Sequence, residues 1–223
     1  MGSPFRAAAM KASRRSRAAV NHRLACRVLR AIMGRREGGK ENGMALMDEL
    51  RRVVTENTGG RSRVAADGGP AANIASEDGE VFLAEIWNAA LKPDAMLADA
   101  DGIKTEPVSL EPDKGALKVR WFSVAPEDPQ ADPALVDELA DFAFALANAA
   151  HVRVDTTRHP MMHKTETLDV IICVKGAVTL LLDAGEAKDL KPGDVVIQRA
   201  TNHAWVNHGS ETAILVAVLI DAG

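Results

Sequence analysis

Between Thr167 and Ile220 the chain is broken into apolar runs of at most eight residues, each closed by a turn signal. The runs are Thr167 to Val174, Ala177 to Leu182, Val195 to Gln198, Ala204 to Asn207 and Ala213 to Ile220. Between them stand Gly176, Asp183-Ala184-Gly185-Glu186, Lys191-Pro192-Gly193-Asp194 and Gly209-Ser210. Runs this short are read as strands, and many short strands with frequent turns pack as a sandwich or a closed barrel, since closure removes exposed edges. Val170 to Val174 is apolar on both faces, which predicts burial on two sides, by the barrel interior and by either the preceding segment or a second subunit.

Upstream, turn signals recur at Gly59-Gly60, Asp67-Gly68-Gly69-Pro70, Asp78-Gly79, Asp101-Gly102 and Pro112-Asp113-Lys114-Gly115, with strands expected over Val81 to Trp87 and Leu117 to Val124. Asp132-Pro133 reads as an N-cap followed by proline at the first helical position, and Leu135, Leu139, Phe142 and Leu146 form an apolar stripe, predicting one amphipathic helix over 133–150. The stretch from Met44 to Val54 starts like an N-terminal helix. The expected organisation is therefore a basic extension over 1–43, a β-rich segment with the helix over 44–152, and the barrel core over 153–223.

Charge divides the chain in the same place. Residues 1–40 hold 11 of its 27 basic residues and one of its 31 acidic residues, Glu37, so 41–223 carries 16 basic and 30 acidic groups, a net −14. Nucleic acid is a poor partner for a domain of that sign, because phosphate binding rests on Lys and Arg. Val20, Leu24, Val28 and Ile32 share one helical face in the basic stretch, which fits a targeting peptide, a binding arm, or sequence upstream of a start at Met44 or Met47; the compositional break favours the last. No apolar run approaches the roughly 20 residues of a membrane span. Two cysteines, Cys26 and Cys173, form no ligand spacing and no disulfide framework, so a reducing, cytoplasmic setting is expected. With no tyrosine in the sequence, proton transfer falls to His, Asp, Glu, Lys or water.

Two stretches carry a recognisable pattern: M-H-K-T-E-T-L-D-V-I-I-C-V-K-G from Met162 to Gly176, and L-K-P-G-D-V-V-I-Q-R-A-T-N-H-A-W-V-N from Leu190 to Asn207. Together they resemble the cupin superfamily, and more narrowly single-barrel proteins with a type-2 cupin domain. The family's first motif, His-x-His-x(3,4)-Glu-x(6)-Gly, is similar to His163-x-Thr165, then Asp169, then Gly176. The end of its second motif, His-x(3)-Asn, matches His203 and Asn207, and the preceding Pro-x-Gly becomes Gln198-Arg199-Ala200. The resemblance implies an all-β jelly-roll (double-stranded β-helix) barrel that pairs as a homodimer. It also implies a divalent ion held by the motif residues, here His163, Asp169 and His203.

Strand geometry supports a shared pocket, because residues two apart face the same way: His163, Thr165 and Asp169 have one parity, and His203 must arrive from an opposing strand. Two imidazoles and a carboxylate suit Mn, Fe, Ni or Zn and leave open positions for substrate. His159 is a possible substitute ligand, and hydrogen-bonded histidines in an empty barrel are the plainer alternative. Thr165, Gln198, Arg199 and Trp205 are the candidate substrate contacts. The expected function is a metal-assisted enzyme of the lyase, isomerase, decarboxylase or dioxygenase class acting on a small oxygenated acid or carbonyl compound; a non-catalytic small-molecule sensor is the alternative.

Overall fold

The computed structural model describes residues 46–76, 78–92, 108–221 and 223, so the basic extension and the Asp101-Gly102 turn lie outside the described residues. The chain opens on a 3-10 turn, Leu46–Glu49, and then a hairpin of β1 (Arg52–Thr58) and β2 (Arg61–Gly68). Of the stretch that starts like an N-terminal helix, the described residues from Leu46 to Val54 form a single turn and the start of a strand. Gly59 and Gly60, both at positive φ (60° and 76°), close a hairpin that carries the β-branched run into a ladder. β3 (Ala72–Ala75), β4 (Phe82–Ala90) and β5 (Ala116–Val124) follow, then α1 (Pro133–Leu146), and then β6 (Leu168–Lys175), β7 (Val178–Leu182), β8 (Ala187–Leu190), β9 (Val195–Arg199), β10 (His203–Val206) and β11 (Ala213–Ile220).

Two sheets enclose the interior. One has six strands in the order β3-β4-β5-β11-β6-β9, and the other has three in the order β10-β7-β8. All pairings are antiparallel. The interior between them holds Ile171, Val178, Ala213, Leu215, Ala217 and Leu219, with Phe122, Val196 and Trp205 packed against that core. Gly176, at the turn from the larger sheet to the smaller, has φ 73°, and a Cβ there would sit 2.9 Å from the Ala213 Cα. Only glycine lets the two backbones pass so closely.

Three strands cannot cover six, and a second cluster makes up the difference. Phe144, Ala147, Ala149 and Val152 pack with Ile74, Leu83, Leu110 and Met161, so α1 and the segment after it shield the β3–β4 side. The helix starts as expected, with the Asp132 carboxylate accepting from Ala134 N at 3.0 Å and Pro133 in the first turn. It stops four residues earlier than expected. Asn148 takes φ 52° and two hydrogen bonds, Ala149 N to Phe144 O and Asn148 N to Ala145 O, close a Schellman cap. The buried stripe is also rotated: Leu139, Ala140 and Phe144 are buried while Leu146 is 36% exposed. Alanines on this side allow close approach and let Phe144 reach the barrel. Arg153 holds the helix in place, bonding Asp137 and Asp141 from one side and Pro160 O from the other.

The outer face of β6 is covered only in part. Leu168 and Val174 are about half exposed (43% and 45%), and so are Val195 and Ile197 on the neighbouring edge strand (54% and 58%). Within one chain, burial of β6 on two sides is therefore incomplete. Among the described residues no helix is long and apolar enough to cross a membrane.

Candidate functional site

The polar end of the barrel begins with a backbone contact. His163 and His203 pair across an isolated antiparallel bridge, each N–H donating to the other's carbonyl at 2.9 and 3.0 Å. This puts both side chains on one face, and the rings lie 4.2 Å apart at 49°. Phe144 flanks the His163 ring at 4.9 Å, and Trp205 flanks the His203 ring at 5.6 Å. Each Nδ1 lies 2.9 Å from a carbonyl two residues earlier, Met161 O for His163 and Thr201 O for His203. That contact assigns the proton to Nδ1 and leaves the lone pair on Nε2. Burial pushes His163 down to about 4, and burial with the neighbouring imidazole pushes His203 well below its ordinary range. Both rings are neutral at pH 7.

Gln198 links the pair to the carboxylate. Its amide nitrogen packs against the His203 ring, nearly equidistant from Nδ1 at 2.6 Å and Nε2 at 2.7 Å. Its carbonyl oxygen is buried without a donor. Gln198 is also the cross-strand partner of Asp169. Asp169 is 3% exposed and its Oδ1 has no partner. Burial pushes its carboxyl up to about 6, against the opposing pull of the Thr167 hydroxyl and the Arg120 charge. Thr165 is buried and hydrogen bonded to Thr167 at 2.8 Å, so Thr165, Thr167 and Asp169 line one face in sequence.

Two expected contacts lie elsewhere. Arg199 is exposed outside the barrel, because strand alternation turns it away from Gln198. His159 accepts from Met161 N at 3.1 Å and pairs with Glu127 at 2.9 Å, which removes it as a substitute ligand. Asn207 of the second motif is fully buried as a clamp, bonding Val124 O, Glu211 O and Gly209 N. Ala200, where the motif has glycine, keeps a left-handed φ of 49°.

Among the described residues no three His, Cys, Asp or Glu side chains gather closely enough to hold an ion. The two Nε2 lone pairs are suitable nitrogen donors, with carbonyl-fixed tautomers of the kind that ligating histidines use. Asp169, however, lies beside Gln198 and Thr167 and does not complete a set with them, so the expected trio of His163, Asp169 and His203 is not assembled here.

The inner face of β5 supplies what the motifs did not flag. Arg120 is 1% exposed and pairs with Glu85 at 2.8 Å, and Lys118 donates to Ser109 O, Ser109 Oγ and Glu111 O at 2.6 to 2.8 Å. Burial and the Arg120 charge push Lys118 down to about 8, while burial pushes Glu85 up. Alternation across Lys118, Arg120 and Phe122 was visible in the sequence, but a strand with charges on one face reads as solvent facing until the other sheet is placed over it.

The motif spacing, the two enclosing sheets and the histidines facing inward agree with one further finding: residues 150–219 match the type-2 family model described as a cupin domain. Residues 150–219 are a type-2 cupin domain. Similar proteins include phomopsin biosynthesis cluster protein C' of Diaporthe leptostromiformis, 49% identical over 53 residues, covering 24% of this chain and 28% of the relative. The cupin-domain-containing oxidoreductase srdD of Neurospora crassa is 41% identical over 63 residues, 27% of this chain and 32% of the relative. The matches thus span about a third or less of these curated relatives. Among solved structures, the polyketide cyclase RemF from Streptomyces resistomycificus is 17% identical with a TM-score of 0.34, covering 63% of this chain and 65% of that one. A double-stranded β-helix protein from Methanocaldococcus jannaschii is 15% identical with a TM-score of 0.32, covering 56% and 88%.

Proposed function

We propose that the cupin domain is a small-molecule enzyme that moves a proton on an oxygenated acid or carbonyl compound, in biosynthetic chemistry of the kind its relatives' names describe. The observation that carries this reading is Asp169, a buried carboxyl with an unpartnered oxygen and a pKa near 6, beside Gln198. A group poised near neutrality serves as base and then as acid in one turnover. As a carboxylate, Asp169 takes a proton from the carbon next to a carbonyl; once protonated, it returns that proton to the product. The Gln198 amide N–H is the donor for the oxygen on which charge develops. Lyase and isomerase reactions share this step, and no electron acceptor enters it.

A divalent Mn, Fe, Ni or Zn ion remains part of the wider reading through the two Nε2 lone pairs, and metal analysis of protein purified without chelators tests it. A sensor without catalysis is the second reading, favoured by the carboxylate that does not join the histidines. The experiment is solvent exchange: 1H NMR in D2O follows loss of the α-proton signal from 1,3-dicarbonyl compounds and from mandelate. The enzyme reading expects exchange that falls at least roughly 100-fold in Asp169→Asn, the lower end of a general base's contribution. Binding without exchange in the wild type supports the sensor.

A further inference from the structure

Arg120 has more donors than the protein satisfies. Its guanidinium carries five N–H groups and is almost completely buried. Nη2 donates to Glu85 Oε1 at 2.8 Å and Ser109 O at 2.5 Å, whereas Nε and Nη1 have no acceptor. Glu85 Oε2 is also unmatched, and even assigned to Nε it satisfies only one of the three N–H groups that remain. The two N–H groups of Nη1 are still left over. A buried donor without an acceptor costs about 1 to 3 kcal/mol, more when charged, so something supplied from outside the chain is expected to meet it.

The complementary vacancies lie across one strand. Arg120 pairs with Ala217 on β11, and Asp169 pairs with the next inward residue, Leu219, from the other side. Arg120 and Asp169 are thus two strand spacings apart across the sheet, roughly 9–10 Å, and offset by two residues along it, roughly 7 Å, with Ala217 and Leu219 on the strand between them. Each feels the other's charge, yet no hydrogen bond joins them. Asp169 Oδ1 and Gln198 Oε1, neighbours across β6 and β9, both lack donors. One wall therefore offers hydrogen-bond donors and the other offers acceptors. Lys118 does not share the role, since its three donors are filled by Ser109 and Glu111. It adds a second cation to the wall on which Glu85 pairs with Arg120. Farther along the same face, Phe122 packs on Trp205 at 6.2 Å and Trp205 meets His203, an apolar surface beside the polar gap.

We propose that the barrel binds a small hydroxy acid, with its carboxylate on Arg120, its hydroxyl donating to Asp169 beside Gln198, and its apolar body against Phe122 and Trp205. This deepens the enzyme reading and rests on it for the location of the pocket. Glu85 is a positioning residue that holds the guanidinium by one arm and leaves Nη1 facing inward. The arrangement selects for both groups together. An ester loses the charge that Arg120 meets, and a deoxy acid leaves Asp169 unpaired.

Isothermal titration calorimetry on the full chain with mandelate, methyl mandelate and phenylacetate tests this. Mandelate is expected to bind at least roughly tenfold more tightly than either control, the size of one charge-assisted hydrogen bond. Arg120→Lys keeps the charge and loses the fork, so the preference for mandelate over its ester is expected to fall by a similar factor. Because an altered Arg120 strands Glu85, the double variant Arg120→Met with Glu85→Leu is measured as well; its melting curve shows that it is folded and its preference for the acid is expected to vanish. Equal affinity for mandelate and its ester, wild-type preference in the folded double variant, or no binding of any of the three overturns the proposal, the last leaving ordered water as the occupant. Solvent exchange separates the two readings: discrimination among ligands without exchange removes the catalytic reading and leaves this one standing, and exchange of dicarbonyls without discrimination does the reverse.

Discussion

The enclosed face of the six-stranded sheet sets a polar group of side chains beside the apolar core of Ile171, Leu215, Ala217 and Leu219, whereas part of the outward face is apolar and uncovered. The enclosed face carries Gln198, Asp169, Lys118, Arg120 and Glu85, all buried, while the outward face presents Leu168, Val174, Val195 and Ile197 to solvent. An antiparallel sheet that only needed to fold would place these the other way round. Buried charges are expensive, and exchanging a buried ion pair for apolar side chains is often neutral or stabilising. The enclosed polar groups are thus better explained by what enters the barrel than by the stability of the barrel itself. The apolar exterior is a smaller departure, since single exposed aliphatic residues are common.

The most severe test of that contrast is to break the interior pair by one partner. Arg120→Met leaves Glu85 buried and unpaired, and a loss of about 3–5 kcal/mol is expected in urea unfolding. Adding Glu85→Leu is expected to recover most of it; a double variant as unstable as the single one would mean that the pair stabilises the fold in its own right. Gly176→Ala comes next. With its Cβ forced 2.9 Å from the Ala213 Cα at positive φ, a loss of about 2 kcal/mol or more is expected, because this crossing brings the enclosing sheet over the polar face.

A pH series separates the charges within the enclosed face. His163 titrates near 4 in the folded chain against an ordinary 6.5, so it favours folding only when neutral, and its contribution is lost as pH falls through 6.5 toward 4. Asp169 works in the opposite direction. Its folded value near 6 lies above the ordinary 3.8, so its contribution is present below 3.8 and lost as pH rises through 6. The two oppose each other between pH 4 and 6. Asp169→Asn is expected to steepen the gain in stability with rising pH over that window, by on the order of 1 kcal/mol per pKa unit, and His163→Asn to flatten it. Identical slopes in all three proteins, followed by thermal melting, would place these groups in water and not in the barrel. The smallest effect belongs to the outer face: Ile197→Lys is expected to change stability by no more than about 0.5 kcal/mol. A larger loss with a concentration-dependent melting temperature would show that another surface covers Ile197 in solution.

Strand positions in the C-terminal part were legible because turn residues bracket them: Ala213–Ile220 lies where the apolar run predicts, and the others shift by about one residue. The inward parity of His163, Thr165 and Asp169 followed from the two-residue repeat of a strand. The helix start at Asp132-Pro133 was equally readable, since a cap is a local interaction. Its end and its buried stripe were not, because Asn148 and Phe144 are placed by what they pack against.

By itself, then, the sequence determined the short strands, the turns between them and the alternation of side chains along each strand, all matters of local backbone preference. Only the tertiary structure decided which charges meet. Arg120 and Asp169 are 49 residues apart and share an interior only because β11 pairs with β5 on one side and β6 on the other. The same arrangement sets Gln198 against the His203 ring and leaves Asp169 outside the histidine pair. Such distances depend on sheet order and closure, which residue spacing along a chain does not encode.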